Sequence, residues 1–465
     1  MYALGHELTH VPTHKFDLEH MRVLLAALGH PETKFPGVLI AGTNGKGSTA
    51  STLASILQAS GYKTGIYTSP HLVRINERIR LNGESISDDD FALLHDVVGR
   101  TSERLVTEGD LPWHPSFFEM LTAMAFEYFA RSHPDIAVLE VGMGGRLDAT
   151  NVVEPRLSII TDISLDHQRF LGDTIPEIAR EKAGIIRPNG VVVTLPQLPE
   201  ANDVIGNTTL ELGARAVNAV PYVPPVSPAS GEYAVLGSGT PRQRYPLEVM
   251  GSTITVDSPL VGRHQLRNVA LAIAAAVELH DQEFKQIIPE TIERGIRDTH
   301  WPGRFQVVSG ASSSFSGASD DDQRGAKSES HEARAESLKP DFVFDVAHNP
   351  AGAWALRSTL SSAYENRPLT IVFGVLRDKA MSEMTEILFP IAEHVIVTHA
   401  NNPRSATPAE IRQAAARVSA DISEAETVAE ALKMATESAG PDGLVVITGS
   451  IYIVGEAMRT LGLRI

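Results

Sequence analysis

The sequence predicts an α/β protein in two domains, a doubly wound parallel sheet followed by a smaller Rossmann-like α/β domain. Three observations carry that prediction. Short apolar runs alternate with segments of helical period along most of the chain. Each run ends in glycine or polar residues, as ligand-binding strand ends do in open parallel sheets. The chain has 465 residues, more than one ordinary core accommodates.

The first domain is read as residues 1–299. Leu18, Met21, Leu24, Leu25 and Leu28 share one helical face within residues 17–29. Val38–Ala41 is a buried strand. It runs into Gly42-Thr43-Asn44-Gly45-Lys46-Gly47-Ser48-Thr49 and then into a helix carrying Leu53, Ile56 and Leu57. Strand, glycine turn, lysine, hydroxyls and helix form a cradle for phosphate: backbone N–H groups point inward and the helix N-terminus and lysine add positive charge. The spacing departs from G-x-x-x-x-G-K-[ST], and a bare glycine turn is the competing reading. Strands follow at 63–67, 136–139, 157–160 and 191–194, with a hairpin at Asn82-Gly83 and helices after Ser87 and over 116–131. These strands deliver Ser69, Glu140, Asp162 and the pair Asp166-His167 to one edge. Residues 198–260 read as less regular, the Pro/Gly/Ser density around 221–241 suggesting loops with a few antiparallel strands (232–236, 253–256), and helical spacing returns over 264–280.

Thr299-His300-Trp301-Pro302-Gly303 reads as the hinge to the second domain, residues 300–465. Residues 310–338 are rich in serine, alanine and charge, and are expected to form a mobile insertion that buries little apolar surface. Strands are expected at 342–346, 369–373, 394–398 and 444–448, with a helix over 408–420. Their ends again carry polar residues, Asp345 and His348 first.

Net charge is −17 and no Lys/Arg cluster occurs, which excludes a nucleic-acid binder of the usual kind. The absence of cysteine excludes disulfides, thiolate metal sites and a cysteine nucleophile. No apolar run reaches the roughly 18 residues that span a bilayer. The N-terminus carries no basic-then-apolar signal, so a cytoplasmic enzyme without membrane contact is expected. Phosphate chemistry needs Mg²⁺, a hard cation that takes oxygen ligands and keeps several waters. Glu140, the Ser69 hydroxyl and an imidazole suit it, although a strand-end glutamate also caps helices and Asp166-His167 also reads as a turn.

Eight words occur in order: G-T-N-G-K-G-S-T; T-S-P-H-L with N-E-R-I; L-E-V-G-M-G-G-R-L-D-A-T-N; D-H with E-K-A-G-I-I-R; H-Q-x-x-N; W-P-G-R-F; D-V-A-H-N-P; G-S-I-Y-I-V-G-E. On these the chain closely resembles the folylpolyglutamate synthase/dihydrofolate synthase family of the Mur ligase superfamily, from about Lys15 to Glu456. The resemblance implies an ATP-dependent amide ligase joining L-glutamate to reduced folates, and to dihydropteroate as well, through an acyl phosphate. It places ATP on Gly45, Lys46, Gly47, Ser48 and Thr49, with Asn268, Arg304 and Asp345, and makes His348 a phosphate-side catalytic group. It places Mg²⁺, two ions, on Ser69, Glu140 and His167. Lys182 is implied to carry a CO₂-derived carbamate, against the plain reading of a helix-end lysine. The acceptor side falls on Ser116, Phe118, Arg146 and Asp148, where a core aromatic is the competing reading of Phe118. Ser116 stands where some bifunctional members carry threonine, so a folate-only synthase is the nearest alternative. A peptidoglycan Mur ligase is disfavoured because residues 1–41 are too few for its UDP-sugar domain. A non-catalytic nucleotide switch would lack the full ligand set. A monomer closing its two domains over ATP is expected.

Overall fold

The structure, a computed structural model, describes residues 18–225, 241–310 and 340–463. The expected insertion, apart from its first residue, and the strand expected at 232–236 lie outside these residues. The chain divides into two compact units, with the boundary between Trp301 and Pro302.

The first unit is built on an eight-stranded sheet. Its strands are β1 (Gly37–Ala41), β2 (Thr64–Tyr67), β3 (Ile79–Leu81), β4 (Glu84–Ser85), β5 (Ile136–Glu140), β6 (Pro155–Ile160), β7 (Val191–Thr194) and β8 (Arg215–Asn218). Their order is β4-β3-β2-β5-β1-β6-β7-β8. The six strands from β2 to β8 in that order are parallel, and β3 and β4 add an antiparallel edge. β1 is apolar at every position because both its faces are covered. Val38 and Ile40 face a core formed with α2 (Lys46–Ala59), and Leu39 and Ala41 face a second core. That second core takes residues from α1 (Leu18–Ala27), α3 (Asp88–Glu108) and α4 (Phe117–Ser132). The short α5 (Gln168–Leu171), α6 (Ile175–Ala183) and α7 (Pro199–Glu211) surround a third cluster beside β6 and β7.

Two sequence expectations are corrected. Residues 198–260 are more regular than expected: α7 and β8 continue the parallel winding, and the antiparallel strand expected at 253–256 lies in the hairpin of β9 (Gln243–Val249) and β10 (Ser252–Ser258). α7 buries only Ala201, Ile205 and Thr209, and β8 is an edge strand that is mostly exposed, so neither shows an apolar run. α8 (Arg263–Gln282) and α9 (Pro289–Arg297) then return to pack on α2.

The second unit holds a six-stranded sheet of β11 (Gln306–Val308), β12 (Asp341–Phe344), β13 (Leu369–Phe373), β14 (His394–Val397), β15 (Ile422–Glu424) and β16 (Leu444–Thr448). Its order is β11-β12-β16-β13-β14-β15, parallel except for β11. The helices are α10 (Pro350–Ala363), α11 (Met381–Leu388), α12 (Pro408–Ala414), α13 (Val428–Ala439) and α14 (Ile451–Thr460). The second correction concerns α12, expected to run to 420. It stops at Ala414, where short-range bonds from Ala416 to Gln413 and from Val418 to Ala415 unwind it, because β15 must extend to pair with β14.

Candidate active site

The loop after β1 is pinned from β6. Asp162 O accepts hydrogen bonds from Thr43 N (2.9 Å) and Asn44 N (3.2 Å), and the Thr43 hydroxyl donates to Ser164 O at 3.0 Å. The Asp162 carboxylate in turn receives both Nε (3.0 Å) and Nη2 (2.6 Å) of Arg267, a forked pair that fixes α8 against the loop. Gly45 caps α2 at φ 92°, a left-handed geometry that suits glycine, and no side chain caps the helix. Asn268 is buried against Gly45 and held by its own Nδ2 donating to Gln265 Oε1 at 2.8 Å. Ser48 and Thr49 are buried in the first turn, and the Thr49 hydroxyl lies 3.4 Å from Asn268 O.

Two lysines meet at one carbonyl. Lys46 Nζ donates to Gly42 O at 3.1 Å and to Thr43 O at 3.2 Å. Lys182, from α6 and 3% exposed, donates to the same Gly42 O at 2.8 Å. Burial, reinforced by the charge of Lys46, pulls the Lys182 ammonium down to about 7, against the opposing pull of Asp166 and Asp148. A lysine in that range carries a substantial share of free amine near neutral pH, the form that reacts with electrophiles.

On the neighbouring strand ends, Ser69 N donates to Glu140 Oε2 at 3.2 Å, so the Glu140 carboxylate meets the Ser69 backbone beyond β2. His167 caps α5 at φ 51°, its N–H donating to Asp166 Oδ1 at 2.9 Å. Among the described residues, no group of three or more His, Asp or Glu is arranged as a metal cage. One buried carboxylate beside a hydroxyl-bearing residue is a donor set that fits Mg²⁺, which completes its octahedron with water and phosphate oxygens.

The acceptor-side residues cluster differently. Phe118 lies half-buried over Gly142, where a β-carbon would come within 2.5 Å of the ring, and 6.1 Å from the Tyr67 ring centroid. Ser116 caps α4 in a reciprocal box with Glu119. Asp148 is spent within its own loop. Oδ1 accepts from Thr150 N (3.0 Å) and Oγ1 (2.6 Å), Oδ2 accepts from Met143 N (3.0 Å), and burial pushes the carboxyl up. Arg146 is exposed and paired with Glu181 at 2.8 Å, while its N–H donates to Glu181 O at 2.7 Å. That contact lays the Gly142–Asp148 loop along α6, next to Lys182.

In the second unit, Asp345 follows β12 and accepts from Phe305 N and Ala347 N, both at 2.9 Å. Burial pushes its carboxyl up and Arg304 opposes the shift. His348 Nδ1 lies 3.0 Å from Val346 O, a contact that requires Nδ1 to carry a hydrogen. Sequence reasoning missed Arg267 and Ser164. Arg267 occupies an unspecified position of the H-Q-x-x-N word, and its only other signal is helical spacing beside Asn268.

The two α/β units are those of a Mur ligase. Residues 93–276 match the Mur ligase middle domain, and residues 332–451 match the Mur ligase glutamate ligase domain. The chain belongs to the folylpolyglutamate synthase/dihydrofolate synthase family. It is 34% identical to a Bacillus subtilis dihydrofolate synthase/folylpolyglutamate synthase, over 96% of this chain and 94% of that one. It is similar to Mycobacterium tuberculosis folylpolyglutamate synthase solved with ADP and AMPPCP (TM-score 0.82, 31% identity, 96% of each chain). It is also similar to Escherichia coli FolC solved with DHPP and ADP (TM-score 0.76, 28% identity, 98% of this chain and 95% of that one).

Proposed function

We propose that the protein is an ATP-dependent ligase that joins L-glutamate to folates and to dihydropteroate, releasing ADP and phosphate. The observation that carries this reading is the pair of lysines converging on Gly42 O within the phosphate loop. A carboxylate attacking ATP brings two anions together, and that approach needs concentrated positive charge. The acceptor carboxylate oxygen bonds to the γ-phosphorus as the bond to the β–γ bridging oxygen breaks, giving an acyl phosphate and ADP. The glutamate amine then attacks the acyl carbon, loses a proton and expels phosphate.

Lys46 exchanges its loop carbonyls for phosphate oxygens, backed by N–H groups of Gly45, Gly47, Ser48 and Thr49. Asn268 keeps Gly45 in place. Ser69, Glu140 and His167 would hold Mg²⁺, which supplies charge neutralisation when bound. The free amine of Lys182 is suited to attack CO₂ and lose a proton, giving a carbamate that adds an oxygen ligand. Arg304, Asp345 and His348 are the nucleotide-side groups of the second domain, which we assign to residues 300–465 after a nucleotide domain of residues 1–299. Phe118 is offered to the ring system of the acceptor, with Ser116, Arg146 and Asp148 around it. No described helix is long and apolar enough to cross a membrane. The ligase reading carries with it a cytoplasmic monomer acting on small molecules alone.

The engagement of Asp148 within its own loop favours a second reading, a synthase that accepts folates only. Mass-resolved products separate the two. With dihydropteroate and tetrahydrofolate as separate acceptors, each is expected to gain glutamate, and ADP release is expected to require both acceptor and glutamate. Product from tetrahydrofolate alone establishes the folate-only reading, and ATP turnover indifferent to both substrates sinks the ligase.

A further inference from the structure

The mechanism leaves one aromatic beside the phosphate loop without a task. A β-carbon placed at Gly47 would lie 2.6 Å from Cζ2 and 3.1 Å from Cε2 of Trp301, so the indole edge sits directly on the loop backbone. Gly47 is therefore glycine for space: its backbone is ordinary helix, and a rigid ring cannot retreat as a flexible side chain would. On the Trp301 ring lies the Arg80 guanidinium, with its carbon 5.5 Å from the ring centroid. Arg80 is itself anchored, with Nε donating to Glu77 O at 3.0 Å. The Glu77 carboxylate accepts from Leu72 N (2.7 Å) and Val73 N (2.9 Å), and so fixes the segment that leads from Ser69 through His71. Trp301 is held from below as well, because the preceding residue's carbonyl, His300 O, accepts from the Ser51 hydroxyl of α2 at 3.0 Å. The indole Nε1 is buried and has no hydrogen-bond partner among the described residues, so the ring is placed there by shape and charge.

We infer that Trp301 and Arg80 are positioning residues that set the spacing between the phosphate loop and the Ser69 segment. The indole is a spacer of fixed thickness between Gly47 and Arg80, and Arg80 carries that spacing through Glu77 to the segment that follows Ser69. Loosening the spacer leaves the lysines and hydroxyls chemically intact but misplaces the two walls of the triphosphate site, an error felt in nucleotide binding before chemistry. This inference rests on the reading that Gly42–Thr49 binds ATP phosphates.

The test measures KM for ATP, kcat, thermal unfolding and AMPPCP binding by calorimetry in the full-length chain. Trp301→Ala is expected to raise KM for ATP about tenfold while changing kcat less than about threefold and keeping cooperative unfolding. Trp301→Phe, which keeps a flat ring, is expected to restore most of the affinity. Gly47→Ala is expected to lose AMPPCP binding, and Gly47→Ala with Trp301→Leu to regain part of it because the smaller side chain makes room. A double variant no better than Gly47→Ala, or a Trp301→Ala enzyme with wild-type KM, overturns the inference. Should Trp301→Ala fail to fold, the Trp113→Phe/Trp354→Phe protein leaves Trp301 as the sole tryptophan emitter among the chain's three. Its emission is expected to shift on AMPPCP titration, and an unmoved spectrum with AMPPCP bound overturns the inference. If the wild-type chain does not bind AMPPCP, the phosphate-loop reading itself falls, an outcome distinct from the others.

Discussion

The phosphate loop after β1 and the Gly142–Asp148 loop after β5 are adjacent products of the same strand-end logic, yet they use their polar side chains in opposite ways. In the first, Lys46 and Lys182 rest on backbone carbonyls that a phosphate can replace. In the second, Asp148 is consumed within the loop and Arg146 by a surface pair with Glu181, just as Ser116 is consumed in capping α4. A charged group lent to a carbonyl is available to a ligand, whereas a buried carboxylate holding three N–H and O–H donors is part of the scaffold. The sharpest way to break this contrast is Asp148→Ala. It strands Met143 N and Thr150 N in a buried loop, and is expected to cost about 2–4 kcal/mol of stability. Chemical denaturation measures it. A variant of wild-type stability that lost only acceptor affinity would move Asp148 from scaffold to substrate.

The same contrast explains what was legible in the sequence. Buried strands such as β1 and β5 are continuous apolar runs, and the residues that follow them are forced to the ligand edge, so Lys46 and Glu140 stand out as candidates from the pattern, whereas Lys182, at the end of α6, comes from the family words alone. What could not be read is where each polar group finds its partner. That Asp148 bonds to Thr150 and Met143, or that Arg267 reaches Asp162 across 105 positions of chain, depends on tertiary approach that no local pattern encodes. α7 and β8 escaped for a related reason, since a partly exposed layer needs few apolar residues. Residues 415–420 misled in the opposite direction: their alanines favour helix, and pairing of β15 overrides them.

A second, smaller effect sharpens the electrostatic half of the comparison. Lys182 titrates near 7 in the folded chain against 10.5 ordinarily, so between those values the unfolded chain binds more protons than the folded one. Stability therefore rises with pH across that window, and the cost of the buried ammonium is at its full value below about pH 7. Lys182→Met removes the titrating group. In CO₂-free buffer, the unfolding free energy of the wild type relative to this variant is expected to increase from pH 7 to pH 10 and to be flat below pH 6. Urea titrations at spaced pH values measure this, and a difference independent of pH would show that Lys182 is not held as a buried cation.

The smallest effect tests the scaffold half at its edge. Ser116 accepts from Glu119 N at 3.3 Å while Glu119 Oε2 accepts from Ser116 N at 2.7 Å, and the other Glu119 oxygen lies 3.2 Å from His20 Nδ1 of α1. The hydroxyl thus closes only one bond in a box that Glu119 and His20 largely hold. Ser116→Ala is expected to cost about 1 kcal/mol, read as a lower denaturation midpoint with an unchanged slope. KM for the folate acceptor is expected to stay within about twofold, because the Glu119 bonds keep the first turn of α4, and with it Phe118, where it is. A severalfold rise in that KM without the stability loss would place the Ser116 hydroxyl on the acceptor, and the α4 N-terminus would then belong with the phosphate loop as a surface that exchanges its partners for substrate.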